Sequence, residues 1–111
     1  DAKAVVLDRV RDGYQAPRHR TAIPIGGEDT RATLDLGIHL AWRGGHISDH
    51  DALIARKLAR IMTGGDLPHA TTVTEQYLLD LEREAFLSLC GETLTLERIR
   101  HTLKTGKTLR N

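Results

Sequence analysis

At 111 residues the chain fits one domain, long enough for a modest core and too short for two catalytic domains with a cofactor cleft between them. Sixteen Lys and Arg against fifteen Asp and Glu leave a net charge of +1, with the two signs interleaved rather than gathered into a basic arm, which argues against a nucleic-acid partner. One cysteine excludes an internal disulfide and a multi-thiolate metal site, and no apolar run approaches the roughly 18 residues that span a bilayer.

The aromatic residues are Tyr14, Trp42, Tyr77 and Phe86, so the core must draw on Leu, Ile, Val and Ala, a palette suited to helix-on-helix packing. Cys90, between Leu89 and Gly91, reads as a small buried hydrophobe. The opening Asp1-Ala2-Lys3 is neither an initiator methionine nor a signal peptide, so a cytoplasmic origin and a truncated start are expected.

Residues 1–13 set Ala2, Val6 and Val10 on one face with Val5 and Leu7 beside them, a first helix closed by Gly13. Residues 14–28 hold Pro17, Pro24, Gly26 and Gly27. They read as an extended connector, at best an edge strand through Thr21–Ile25, because Pro24 has no N–H to give a central ladder. A second helix opens at Asp29 or Thr30, carries Leu34, Ile38, Ala41 and Trp42 at helical spacing, and stops at Gly44-Gly45.

Ser48 followed three residues later by Asp51 is a relative of the capping box and opens a third helix. Its apolar stripe is Leu53, Ile54, Leu58, Ile61 and Met62, ended by Gly64-Gly65. Thr72 with Glu75 reads as a second capping box, starting a fourth helix whose Leu78, Leu81, Ala85 and Leu89 share a face up to Gly91. Thr95 is the expected cap of a short fifth helix with Leu96, Ile99 and Leu103 inward and Gly106 at its end. The fold expected is therefore all-α, a bundle of about five amphipathic helices with a Pro/Gly connector after the first.

Candidate chemistry is sparse. His46 and His50 are four apart with Asp49 and Asp51 alongside, but the pair straddles the Ser48 cap and specifies no third ligand, so no metal is expected. The two aspartates have a simpler role at the positive end of a helix. Gly26-Gly27 precedes a helix start, where backbone N–H groups can receive a phosphate, yet no P-loop lysine accompanies it and Glu28 and Asp29 follow. Glu82 and Glu84, two apart on a helix, point in separated directions and read as a solvated face with Arg83. Arg98, Arg100, Lys104, Lys107 and Arg110 enrich the tail in cations, with His101 among them and Glu97 opposing. Cations in a last turn favour a helix C-terminus whatever else they do. No catalytic Ser/His/Asp or Cys/His arrangement is visible.

The stretch Ser48-Asp49-His50-Asp51-Ala52-Leu53-Ile54-Ala55-Arg56-Lys57-Leu58-Ala59, on through Thr63-Gly64-Gly65-Asp66, is distinctive, as is the run from Glu75 to Leu89. Both resemble the C-terminal end of the large fused 3-hydroxyacyl-CoA dehydrogenase/enoyl-CoA hydratase proteins of bacterial fatty-acid degradation. The ending from Glu97 to Asn111 resembles the same terminus, with Thr108 where proline is usual, and Asp1–Ala4 and Gly13–Pro17 resemble the stretch after the crotonase-like core.

The resemblance implies a fragment, 1–111, forming one noncatalytic helical C-terminal domain. Its partners would be the upstream dehydrogenase and crotonase-like domains of the same chain, with NAD and a CoA thioester bound by the parent and no cofactor held by this piece alone. It also implies a packing role and a contact with the CoA nucleotide, for which Lys104, Lys107 and Arg110 are the candidate phosphate-binding residues. Apolar surface left by the missing part is expected to drive self-association as a homodimer. An autonomous helical module that binds a protein partner is the alternative.

Overall fold

The structure, a computed structural model, describes residues 2–11, 13 and 17–111, the side chain of Arg9 excepted. Tyr14, Gln15 and Ala16 of the expected connector, and Asp1 and Asp12 of the expected first helix, lie outside the described residues. Five helices follow in order, α1 (Ala2–Arg11), α2 (Gly27–Arg43), α3 (Asp49–Met62), α4 (Glu75–Cys90) and α5 (Thr93–Thr105). Two three-residue strands, β1 (Ile23–Ile25) and β2 (Thr71–Val73), pair antiparallel with Pro24 opposite Thr72. In a two-stranded ribbon both strands are edges, so the proline costs no interior hydrogen bond. The mainly helical class expected from the sequence is the one observed, with this ribbon added.

Helix α3 is the axis on which α2 and α4 pack, and α5 packs on α4. At its start the capping box is complete: the Ser48 Oγ accepts from the Asp51 N–H at 3.1 Å, and the Asp51 carboxylate accepts from the Ser48 N–H at 3.0 Å. At its end Thr63 is buried, its hydroxyl donating to the Ala59 carbonyl at 2.7 Å, and Gly64 and Gly65 follow with φ of 88° and 78°. A left-handed pair of this kind is open to glycine and costly for other residues. Both glycines are buried. A side chain at Gly64 would meet Ile25 of β1, and one at Gly65 would meet Leu81 and Tyr77 of α4. The Tyr77 hydroxyl donates to the Gly64 carbonyl at 2.8 Å, so the turn is where α3, β1 and α4 converge.

Several expectations need correcting. Helix α4 is capped by Thr74, whose hydroxyl accepts from the Tyr77 N–H, and not by Thr72, which lies in β2. The β-branched run Thr71-Thr72-Val73 favours extended backbone. Glu75 caps no Thr72. Its carboxylate instead accepts from the Arg20 N–H and the His19 ring, both at 3.1 Å, while its own N–H donates to the Arg20 carbonyl. Helix α2 begins three or four residues earlier than expected, with Gly26 rather than Asp29 or Thr30 at the N-cap and no side-chain cap.

Helix α5 starts after Glu92 rather than at Thr95, whose hydroxyl is drawn to the ring of His50. Leu96, Ile99 and Leu103 do not face a core: all three are exposed, Leu103 by 82%. The α3 stripe is likewise only half covered, since Leu58 and Met62 are exposed, whereas the residues buried on α3 are His50, Ala52 and Ala59. Ala52 and Ala59 lie on the opposite side of the helix from Ile54, Leu58 and Ile61 by the 100° turn per residue. Two alanines let neighbouring backbones come close, and that small-residue face carries little hydrophobic signal in a sequence. Every described side chain of α1 is exposed, including Val5, Val6, Leu7 and Val10.

The molecule is consequently open. Its radius of gyration is 18.5 Å, against roughly 13 Å for a compact chain of this length. Its accessible surface is 8509 Å² for 12.3 kDa, where a compact monomer would show roughly 6,100 Å².

Gly27 is the position least able to change. Its φ is 71° and a Cβ there would lie 2.5 Å from the His69 carbonyl carbon and 2.9 Å from the Ala70 nitrogen, backbone atoms that cannot rotate away. Gly27→Ala is expected to destabilise the fold by about 2–4 kcal/mol from strain and overpacking together. Urea unfolding followed by far-UV circular dichroism measures it, and a loss under about 1 kcal/mol would contradict the close approach.

Candidate functional site

Two features stand out: a polar node that ties down the C-terminal tail, and an apolar groove between α3 and α4. The node forms because the capping box leaves one Asp51 oxygen free. Arg98 of α5 donates to that oxygen through Nη2 at 2.8 Å, and the same nitrogen donates to the Asn111 backbone oxygen at 3.0 Å. The Ser48 hydroxyl donates to the Asn111 backbone oxygen at 2.7 Å, the Arg98 Nε donates to the Asn111 side-chain oxygen, and the Asn111 amide donates to the Leu94 carbonyl at 3.0 Å. Gly106, left-handed at φ 70°, closes α5, and the tail then returns along it to reach the start of α3. The Ser48 N–H and then the Arg98 guanidinium hold the Asp51 carboxyl down from 3.8 to about 2.

Beside the node, His50 is 3% exposed and its Nε2 lies 2.8 Å from the Thr95 hydroxyl. A hydroxyl against an imidazole is the contact a nucleophile would make, but this one is enclosed between α3 and α5. It satisfies a buried ring that would otherwise be costly. His46 is exposed and does not join it, and among the described residues no group of three or more His, Cys, Asp or Glu is gathered as a metal site. Asp49 accepts from the Trp42 indole at 2.6 Å, tying α2 to α3 in addition to any helix-dipole role.

The Gly26-Gly27 segment has no room for an anion. Glu28 donates its N–H to the Pro68 carbonyl, and the 69–70 backbone covers Gly27. Glu84 pairs with Arg60 at 3.7 Å, and Arg60 is held mainly by Asp66 at 3.1 Å, so neither belongs to a convergent carboxylate site.

The groove has a volume of about 470 Å³. One wall is Ile54, Lys57, Leu58 and Ile61 of α3. The other is Gln76, Leu79, Glu82, Arg83, Ala85, Phe86 and Leu89 of α4. Lys57 bridges to the Ser88 hydroxyl at 2.9 Å. Phe86 is 57% exposed along the groove, a position at which a core aromatic would be covered.

Lys104 sits in the last turn of α5, and Lys107 and Arg110 lie on the returning tail; all three are exposed and make no ion pair among the described residues. The shallow depression on α5 is walled by Arg98, Ile99, Thr102 and Leu103, and includes none of the three. The tail brings them near one end of the molecule without gathering them round a cavity. Arg98 and Asn111, which organise that end, were missed in the sequence. Nothing short of the tertiary fold places either beside Asp51, 47 and 60 positions away respectively.

Among known proteins the chain is similar to a probable 3-hydroxyacyl-CoA dehydrogenase of Bacillus subtilis (strain 168), with 44% identity over 112 aligned positions covering 100% of this chain and 14% of that protein. The chain thus spans about a seventh of the length of that relative. No protein-family model matches the chain, and no solved structure does. Among the described residues no helix is long and apolar enough to cross a membrane.

The node makes a pH prediction. Because the Asp51 pKa is depressed in the fold, its contribution is present above the unfolded value of 3.8 and is lost as pH falls through about 2. Discounted for partial exposure, the shift corresponds to about 1–2 kcal/mol. Asp51→Asn should therefore be less stable than the wild type by that amount at neutral pH, with the gap closing below pH ~4. Urea midpoints across the acid range test this, and a gap independent of pH would show that the ionised carboxylate is not what holds the node.

Proposed function

We propose that this chain is the noncatalytic C-terminal helical domain of a 3-hydroxyacyl-CoA dehydrogenase with a crotonase-like enoyl-CoA hydratase region, acting in cytoplasmic fatty-acid β-oxidation. The observation that carries the reading is the 44% identity that runs through 100% of this chain while covering only 14% of a probable 3-hydroxyacyl-CoA dehydrogenase. Hydride transfer to NAD and hydration of the enoyl-CoA then belong to the rest of the protein. This domain supplies surface to it and pairs with a second copy.

The open architecture supports a packing role. Val5, Val6, Leu58, Met62, Phe86 and Leu103 are each more than half exposed, and a chain that kept this much apolar surface in water would be unusual as a free-standing monomer. Lys104, Lys107 and Arg110 are assigned to the phosphates of CoA. All three are exposed and unpaired among the described residues, so their charge is available to a diphosphate and a ribose phosphate. Single exposed cations contribute about 0–1 kcal/mol each, so the three would act together or hardly at all.

Calorimetric titration of the chain with CoA at low and moderate salt tests the assignment. Binding that weakens with salt and disappears in the Lys104→Ala/Lys107→Ala/Arg110→Ala variant is expected. Binding unchanged in that variant would overturn the role of the tail, and no binding to either form would leave packing as the function. Turnover of 3-hydroxyacyl-CoA or enoyl-CoA by the purified chain would overturn the noncatalytic reading.

A further inference from the structure

Helix α1 presents an apolar stripe to solvent. Ala2, Val6 and Val10 recur every four residues on one face, with Val6 59% and Val10 63% exposed. Asp8 and Arg11 pair with each other at 3.9 Å, and at 100° per residue both lie on the side away from Val6. One apolar stripe with charge on its back is the pattern of a helix that lies in a groove.

The α3/α4 groove is a trough of matching size. Its α4 wall runs from Gln76 to Leu89, about 20 Å at 1.5 Å per residue, and the ten residues of α1 span about 15 Å. Leu58, Ile61, Leu79 and Phe86 line it, and no residue of α1 does.

The occupant is selected by where the connector from α1 is anchored. Glu75, the first residue of α4, donates its N–H to the Arg20 carbonyl at 2.8 Å, and its carboxylate accepts from the Arg20 N–H and the His19 ring. The next residue, Gln76, is the end of the groove wall, so the chain leading from α1 is fastened at the mouth of the groove. Arg11 and Arg20 are nine positions apart in sequence, a reach of up to roughly 30 Å, which is enough to lay α1 along the trough. The connector is shortest with Arg11 toward Gln76, which sets α1 antiparallel to α4. A tether this short presents the helix at an effective concentration on the order of mM, so a contact too weak to hold a free peptide is enough.

We infer that α1 is a strap that closes on the α3/α4 groove of its own chain, antiparallel to α4, with Val6 and Val10 laid against Leu79 and Phe86. The structure holds the open form, in which the groove is free; closure gives the domain a second form, in which it is covered. The inference is independent of the enzymology proposed above.

Small-angle scattering of the chain, diluted until its mass is that of a monomer and with far-UV circular dichroism to verify helicity, tests the closure. The wild type should be more compact than the 18.5 Å radius of gyration of the open form. Val6→Asp/Val10→Asp and Phe86→Asp should each expand it toward that value. All three side chains are exposed in the open form, so acids there disturb only the closed one. Trapping gives a second readout. With Cys90→Ser removing the native thiol, Val10→Cys and Leu79→Cys should form a disulfide within one chain, and adding Val6→Asp should lower its yield by about tenfold or more although the tether is unchanged. A wild type no more compact than the variants overturns the inference. So does a disulfide found only between two chains, which would give the groove to a second copy.

Discussion

The structure depends on a turn that only glycine makes cheaply. Gly64 and Gly65 both take left-handed backbone, and both are buried where α3 ends, β1 passes and α4 returns. The absence of a Cβ there does two things at once. It permits the backbone conformation, and it allows Ile25, Tyr77 and Leu81 to approach the chain itself, with Tyr77 donating to the Gly64 carbonyl. Of the buried apolar residues Ile25, Ala52, Ala59 and Leu81, Ile25 and Leu81 pack directly on this turn.

The opposite end of α3 is organised by charge. Asp51 closes the capping box with one oxygen and receives Arg98 with the other, so the same carboxylate fixes a helix start and a helix-to-helix contact. Arg98 and Ser48 then share the Asn111 backbone oxygen, which fastens the tail to both helices. Because these groups are partly buried and fully partnered, the node sets the direction of the tail at little cost in unsatisfied polar atoms. Lys104, Lys107 and Arg110 are thereby carried on a segment with a defined course.

The sequence made the helices legible where local chemistry decides them. The Ser48–Asp51 box, the glycine stops after α1, α2, α3 and α5 and the helical spacing through α3 and α4 all depend on neighbours within a few residues. It misled where a distant partner outbid a local signal. Thr72 looked like a cap because Glu75 follows it, but Glu75 is taken by Arg20 and His19, and the β-branched run goes into a ribbon with β1. Thr95 looked like a cap and is instead the partner of buried His50. The node itself was invisible, since Asp51, Arg98 and Asn111 meet only in three dimensions. Among the tail cations, Arg100, Lys104, Lys107 and Arg110 are exposed, while Arg98, which looked like one of them, is structural.

The largest discrepancy between sequence and structure concerns which apolar residues are inside. Helix α4 turns Leu81 toward the glycine turn and Leu79, Phe86 and Leu87 toward solvent, so it is apolar on more than one side. A helix apolar on more than one side belongs in an interior, whereas a surface helix keeps one stripe. The same holds for α3, which buries Ala52 and Ala59 on one side and presents Ile54, Leu58 and Ile61 to the groove on the other. The periodicity located the helices, but of the residues it marked as core, Leu58, Met62, Leu96, Ile99 and Leu103 are exposed. Contact with α2 and the glycine turn hold α3 and α4 in place, while Leu58 and Met62 of α3 and Leu79, Phe86 and Leu87 of α4 stay exposed.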